Sequence, residues 1–335
     1  MAYTAIDDPE AYFQAKLYTG TGSQLAVTLD GDTDMQPDFV WFKNRGTTNS
    51  HGLQDSARGF DTTGIQSTNG SDADPAFDGS TLGYVSAVGS DGFTVEAGNC
   101  ANASSNNYVA WCWKESATAG FDIDSNSGTG SARTEAHSLS AVPHVIIMKS
   151  TNDSTNWVVY HHKNTSAPET DWLRLNDTRA TSDDSARWND TAPTSSVFSV
   201  GTDSETNASG NSYISYLWSE KQGFSKFGSG GYTGNGGNIF IYTGFRPAWI
   251  MCKQTSGTAN WQIYNNKVSP FNQGSGEYTL RANASTAEGS AGTYEVDLLS
   301  NGFRPVGGSS SFNTSGQSYV YMAFAEAPFV NSNGV

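Results

Sequence analysis

Three short elements recur together along this chain at a spacing of about 105 residues, and that repeat constrains the fold more than any other feature. The first element is a proline, an apolar run and a lysine. It reads Pro37-Asp38-Phe39-Val40-Trp41-Phe42-Lys43, then Pro143-His144-Val145-Ile146-Ile147-Met148-Lys149, then Pro247-Ala248-Trp249-Ile250-Met251-Cys252-Lys253. The second is Phe93-Thr94-Val95, Phe198-Ser199-Val200 and Phe303-Arg304-Pro305-Val306. The third is Tyr108-Val109-Ala110-Trp111-Cys112-Trp113, Tyr213-Ile214-Ser215-Tyr216-Leu217-Trp218 and Tyr319-Val320-Tyr321-Met322-Ala323-Phe324, preceded at nearly one offset by Asn102, Asn207 and Asn313. Solenoid repeats run to roughly 20–50 residues, whereas a unit of this size is large enough to close its own core. The expectation is therefore three tandem units, residues 1–115, 116–222 and 223–335, strung as beads or docked on one another, and not stacked continuously. The joints, Ser116-Ala117-Thr118 and Ser219-Glu220-Lys221, are short and predict a fairly rigid three-lobed chain.

Between the anchors the second and third copies match further. Asn156-Trp157-Val158-Val159-Tyr160 corresponds to Asn260-Trp261-Gln262-Ile263-Tyr264, and Trp172-Leu173-Arg174-Leu175-Asn176 to Thr279-Leu280-Arg281-Ala282-Asn283. The first copy departs, with Ser50-His51-Gly52-Leu53 where the others have Asn-Trp.

Each unit reads as β. The proline-led runs are four apolar residues of strand-forming type, the pattern of a strand buried on both faces, and proline stands at the start where a missing donor is tolerated. The third element alternates large and small residues and reads as a central strand. Ser90-Asp91-Gly92, Ser300-Asn301-Gly302 and Gly234-Asn235-Gly236-Gly237 carry tight-turn chemistry. The predicted class is all-β, three tandem β-sandwich (jelly-roll-like) domains of about 105 residues each. One short helix is expected near Pro9–Lys16, capped by Asp7 or Asp8.

Composition narrows the function. Only 15% of the residues are charged, so the surface is polar through Ser, Thr, Asn and Gly, which are weak helix formers. The 9 Trp, 15 Tyr and 17 Phe argue against a disordered chain. A net charge of −15 with scattered Lys and Arg speaks against nucleic acid as a partner. There is no basic-then-apolar leader after Met1, and no apolar run approaches the roughly 20 residues of a membrane span. Cys100, Cys112 and Cys252 form no even framework; Cys112 and Cys252 read as small core hydrophobes, and a Cys100–Cys112 bond is left open.

A search for chemistry finds no catalytic constellation. None of His51, His137, His144, His161 and His162 recurs in all three copies, and adjacent His161 and His162 on a strand point to opposite faces. Asp30-Gly31-Asp32-Thr33-Asp34 has the alternating carboxylates of a calcium loop, but Met35 stands where the turn glycine belongs and Trp41 where the bidentate Glu belongs. It reads as a solvated turn, as do Asp72/Asp74 and Asp183-Asp184. There is no nucleophile elbow, phosphate loop or Cys-x-x-Cys pair. The expectation is a non-enzyme with no cofactor and no metal. The aromatics at matching positions, Trp157 with Tyr160 and Trp261 with Tyr264, are the candidates for glycan or partner contact, against a role in core or inter-lobe packing.

The anchors resemble a repeat family of uncharacterised virion structural proteins from marine tailed phages. The resemblance is carried by Tyr18-Thr19-Gly20-Thr21-Gly22, Pro37 through Arg45, Ser90 through Phe93 and Tyr108 through Lys114. The third copy keeps the entry as Tyr232-Thr233-Gly234-Asn235-Gly236; the second keeps only Gly128-Thr129-Gly130. The resemblance implies a virion protein, made in the host cytoplasm, in a capsid-decoration or tail-fibre role. Its implied partners are other virion proteins and itself. The alternative is a tail-fibre adhesin for host-surface glycans.

Overall fold

The computed structural model describes residues 6–229, 233–270, 272, 278–290, 295–306 and 311–325. It is all-β, with several antiparallel sheets and three helices of four residues each, Gly79–Leu82, Ser185–Trp188 and Ser204–Asn207. The helix expected over Pro9–Lys16 reduces to one 3-10 turn, Pro9–Ala11, whose Glu10 N–H is capped by Asp8. From Phe13 the chain is strand, because Phe13 and Ala15 must bury one face of a ladder with Trp113 and Trp111.

The copies give three large sheets with one connectivity. In the first, Phe13–Thr19 pairs with the closing strand Asn107–Trp113, which pairs with the proline-led strand Phe39–Asn44, then Gly52–Asp55. The second runs Phe121–Ser127, Ser212–Trp218, Val145–Ser150, Val158–His161, Asp171–Arg174 and Ser182–Asp183. The third runs Ser225–Gly228, Tyr319–Ala325, Pro247–Gln254, Gln262–Asn265, Tyr278–Arg281 and Gly289–Ser290. A small sheet faces each one, built on Gly92–Val95, Val197–Val200 and Gly302–Val306, the strands that carry the repeated phenylalanine.

Burial explains why the proline-led strands are apolar at every position. In Phe39–Asn44 all six residues are buried. Val40 and Phe42 point toward the small sheet and join Val27, Val85, Phe93 and Val95 in a core private to the first copy. Ile146 and Met148 do the same with Leu139, Phe198 and Val200 in the second. The alternate residues, Phe39, Trp41, Val145, Ile147, Trp249 and Met251, belong to a different and larger core that draws on all three copies. Residues of the third copy's own interior, such as Ile250, Phe303 and Tyr319, are continuous with it. Of the two expected arrangements, strung or docked, the shared core shows the copies docked on one another. A two-layer sandwich covers one face of its main sheet, and the other apolar face must find a second cover. Here the other two copies supply it.

The entry and closing motifs are explained locally. Asn102, Asn207 and Asn313 are buried, and their side-chain oxygens accept the backbone N–H of Thr21, Thr129 and Asn235 at 2.8, 2.9 and 3.0 Å. Tyr108, Tyr213 and Tyr319 begin the closing strands, and their hydroxyls accept the N–H of Ala103, Ala208 and Thr314. The entry glycines are demanded by this clasp. A Cβ on Gly20, Gly128 or Gly234 would meet the carbonyl oxygen of Ala103, Ala208 or Thr314 at 2.1 Å. Gly22, Gly130 and Gly236 sit at φ of 76°, 74° and 70°, where a side chain is strained. Tyr232, which opens the third entry motif, lies outside the described residues.

Candidate functional site

The residues singled out for contact, Trp157, Tyr160, Trp261 and Tyr264, are all interior, with Trp157 0% and Trp261 1% exposed. They form no exposed platform. Tyr160 packs edge-on against Trp188 at 6.0 Å inside the second copy, and Tyr264 against Phe312 at 5.1 Å inside the third. The two tryptophans close joints between copies. Trp157 Nε1 donates to the Ser67 carbonyl of copy 1 at 2.9 Å, and Trp261 Nε1 donates to the Arg174 carbonyl of copy 2 at 2.7 Å.

His51 occupies the same place in the first copy, immediately before the strand Gly52–Asp55. Its Nδ1 accepts the indole N–H of Trp41 at 2.9 Å, which fixes Nε2 as the protonated nitrogen. Nε2 then donates to the Arg281 carbonyl of copy 3 at 3.0 Å. The three acceptors are themselves equivalent. Ser67, Arg174 and Arg281 each follow the residue opposite the strand centre, in the pairs Leu53–Gln66, Val159–Leu173 and Ile263–Leu280. Burial holds the His51 imidazole well below its ordinary pKa, so it serves as a neutral donor in place of an indole.

A second set of bonds repeats the closure. The N–H of Asp74 donates to the Thr151 carbonyl at 2.7 Å, Thr181 to Thr255 at 2.9 Å and Glu288 to Arg45 at 2.8 Å. Each donor lies seven residues beyond an acceptor of the first set, and each acceptor lies two beyond the repeated lysine. Every joint therefore carries the same two bonds, running from copy 1 to 2, from 2 to 3 and from 3 back to 1. The arrangement is a closed ring with approximate threefold symmetry, made by one chain.

The ring centre is aromatic. Trp113 and Trp249 meet at 5.6 Å and 88°, Trp113 and Trp218 at 6.5 Å and 68°, and Phe39 of copy 1 lies 4.5 Å from Tyr216 of copy 2. A small cavity lined by Trp41, Trp113, Ile147, Trp218, Trp249 and Met251 has a wholly apolar lining. The repeated lysines stand at the strand ends. Lys43, Lys149 and Lys253 are fully buried, and burial lowers each to a pKa of about 8. Their ammonium groups are held by backbone carbonyls, those of Asn44, Ser150 and Gln254 at 2.6–2.7 Å.

Each joint adds polar groups that the others lack. Between copies 1 and 2, Tyr216 donates to Asp55 at 2.7 Å, and Arg58 reaches Asp55, Asp74 and the Tyr216 hydroxyl. Between copies 2 and 3, His161 Nε2 bonds the Tyr321 carbonyl at 3.1 Å while its Nδ1 accepts the Lys163 N–H, and His162 Nε2 bonds the Phe227 carbonyl at 2.6 Å. His144 packs 4.3 Å from His162 and accepts the Glu220 N–H. Burial lowers His161 to about 3 and His162 to about 4. Between copies 3 and 1, Arg45 pairs with Glu288 at 2.7 Å.

Among the described residues no group of three His, Cys, Asp or Glu is placed to hold a metal, and no helix is long and apolar enough to cross a membrane. Asp30 in the expected solvated turn pairs with Lys16 and Lys267, while the N–H groups of Gly31 and Asp32 bond Gln14 and Glu10. Cys100, Cys112 and Cys252 are buried, and Cys100 and Cys112 are not joined by a disulfide, which answers the question of that bond. Sequence reasoning passed over Phe240 and Tyr242, the most exposed aromatics among the described residues, because neither recurs between copies.

Residues 8–328 match the family described as Domain of unknown function (DUF7483), and the chain belongs to that family. No curated protein matches the chain, and no solved structure does.

Proposed function

We propose that this chain is a non-enzymatic structural component of a phage virion, in a capsid-decoration or tail-fibre role. In this reading it is three tandem β-sandwich domains fused into one ring. The observation that carries the structural role is the ring closure itself. The copies use their main-sheet faces, indoles and strand-end carbonyls on one another, with the same two bonds at each joint. An interior spent this way suits a rigid building block. The virion address rests on the resemblance of the entry, proline-led and closing motifs. Its partners are other virion proteins and itself, without nucleic acid, membrane or cofactor.

The test is quantitative proteomics and imaging of purified particles from a lysate whose phage encodes this chain. The expected result is a fixed copy number per particle, high for a decoration protein and low for a fibre. Recovery only in the particle-free fraction would overturn the reading.

A further inference from the structure

We propose that the outer face of the small sheet in the third copy is a binding site for a neutral saccharide chain, centred on Phe240 and Tyr242. This stands independently of the virion reading. The two side chains lie two residues apart around Ile241, which is buried, so both stand on the opposite, outer face and are about 7 Å apart. They are 47% and 60% exposed, the most exposed large apolar side chains among the described residues.

The ladder gives an internal control. Val27, Glu135 and Ile241 are equivalent, because each pairs with the repeated phenylalanine, Phe93, Phe198 or Phe303. The flanking positions are Ala26 and Thr28 in copy 1 and Thr134 and Ala136 in copy 2. The scaffold is thus built twice with small residues and once with aromatics. Folding requires no ring at these positions.

The surroundings fit a sugar. Tyr242 pairs with Gly302, and the Phe240 ring lies over that glycine, where an added Cβ would sit 2.9 Å from it. Apolar C–H faces of a pyranose stack on such rings. Beside them the half-exposed Arg304 is held by Asp297 through Nε at 2.8 Å, which offers fixed donors and acceptors to hydroxyls. Asn238, Ser300 and Asn301 are exposed and uncharged around the pair. Two rings make a patch far smaller than the roughly 800 Å² per partner of a stable protein interface. The net charge of −15 disfavours a polyanionic ligand.

The test is saturation-transfer NMR of the full chain at millimolar chitohexaose, cellohexaose, maltohexaose and laminarihexaose. Transfer to at least one is expected, and it should fall about tenfold in Phe240→Ala/Tyr242→Ala, a loss of about 1.4 kcal/mol. The unfolding midpoint should be unchanged, because both side chains are exposed. Undiminished transfer in the double variant would overturn the proposal, as would silence from all four sugars. Sedimentation supplies the third outcome: a concentration-dependent dimer abolished by the double variant would assign the patch to a second copy of the chain and overturn the saccharide.

Discussion

The joint between copies 1 and 2 and the joint between copies 2 and 3 are closed by the same backbone and indole bonds, yet they are held by opposite chemistry. The first buries charges: Arg58 between Asp55 and Asp74, capped by Tyr216. The second buries neutral imidazoles, with His161 occupying the ladder position of Asp55, each opposite the first residue of its proline-led strand. A shared frame therefore carries unshared polar groups. The frame sets the geometry of association, and the polar groups at each joint find their partners only in that pairing of copies. An Asp55 placed opposite the Tyr321 carbonyl, or a His161 facing Arg58, would leave buried groups unpaired.

The largest expected effect follows at the charged joint. Removing one partner of a buried ion pair strands the others, and losses of about 3–5 kcal/mol are typical. Arg58→Met should lower unfolding stability by about that amount in urea titrations at pH 7. His161→Asn, which loses one bond to a carbonyl, should lose only about 1–2 kcal/mol. Equal losses in the two variants would show that the joints do not differ as described.

Acid should act on both joints. The folded-state pKa values of His161 and His162, about 3 and about 4, lie below the ordinary histidine value of 6.5. Below pH 6.5 the unfolded chain takes up protons that the folded joint refuses, so stability falls as pH falls from about 6.5 toward about 4 and then 3. The slope reaches about 1.4 kcal/mol per pH unit for each histidine. At the first joint burial raises the Asp74 pKa above its ordinary value, and that group gains relative stability as acid protonates it. Between pH 6.5 and 4.5 a His161→Asn/His162→Asn variant should therefore lose stability less steeply than the parent; Arg58→Met, which removes the cation that lowers the Asp74 pKa, should also regain part of its loss as acid protonates that carboxylate. His51 and His144, also held below the ordinary value by burial, leave the double variant a residual slope.

Much of this was legible in the sequence, and the limits are physical. The period, the all-β class and the paired motifs were visible because each anchor meets the same local demand in every copy: an Asn-Tyr clasp, a glycine with no room for a Cβ, a strand apolar at every position. That last feature also contained the ring. Phe39 through Phe42 are apolar at alternating and intervening positions alike, and a sandwich covers only one of those faces. The second cover is another copy, and its identity was hidden because the contacts span up to 243 residues of sequence. Trp157 and Trp261 looked like candidate platforms, but recurrence reported their shared packing. The exposed aromatics stand where one copy breaks the repeat.

The third joint sharpens the comparison at its weak end. Arg45 and Glu288 make a two-pronged pair, with Arg45 Nε at 2.7 Å and Nη2 at 3.1 Å from the carboxylate, but both side chains keep contact with solvent at 15% and 18% exposure. Partly exposed pairs contribute roughly 0.2–1 kcal/mol, and salt screens them over a Debye length of about 8–10 Å. Arg45→Met should therefore cost about 1 kcal/mol at 0.1 M salt, and the difference from the parent should shrink in part at 1 M. The Arg58→Met loss should persist at 1 M, because its charges are shielded from solvent ions. The backbone bond from Glu288 to Arg45 survives either way, so the third joint stays closed in the variant. A loss at Arg45 as large and as salt-resistant as that at Arg58 would mean that the ring is held at its seam by charge, and not by the frame that all three joints share.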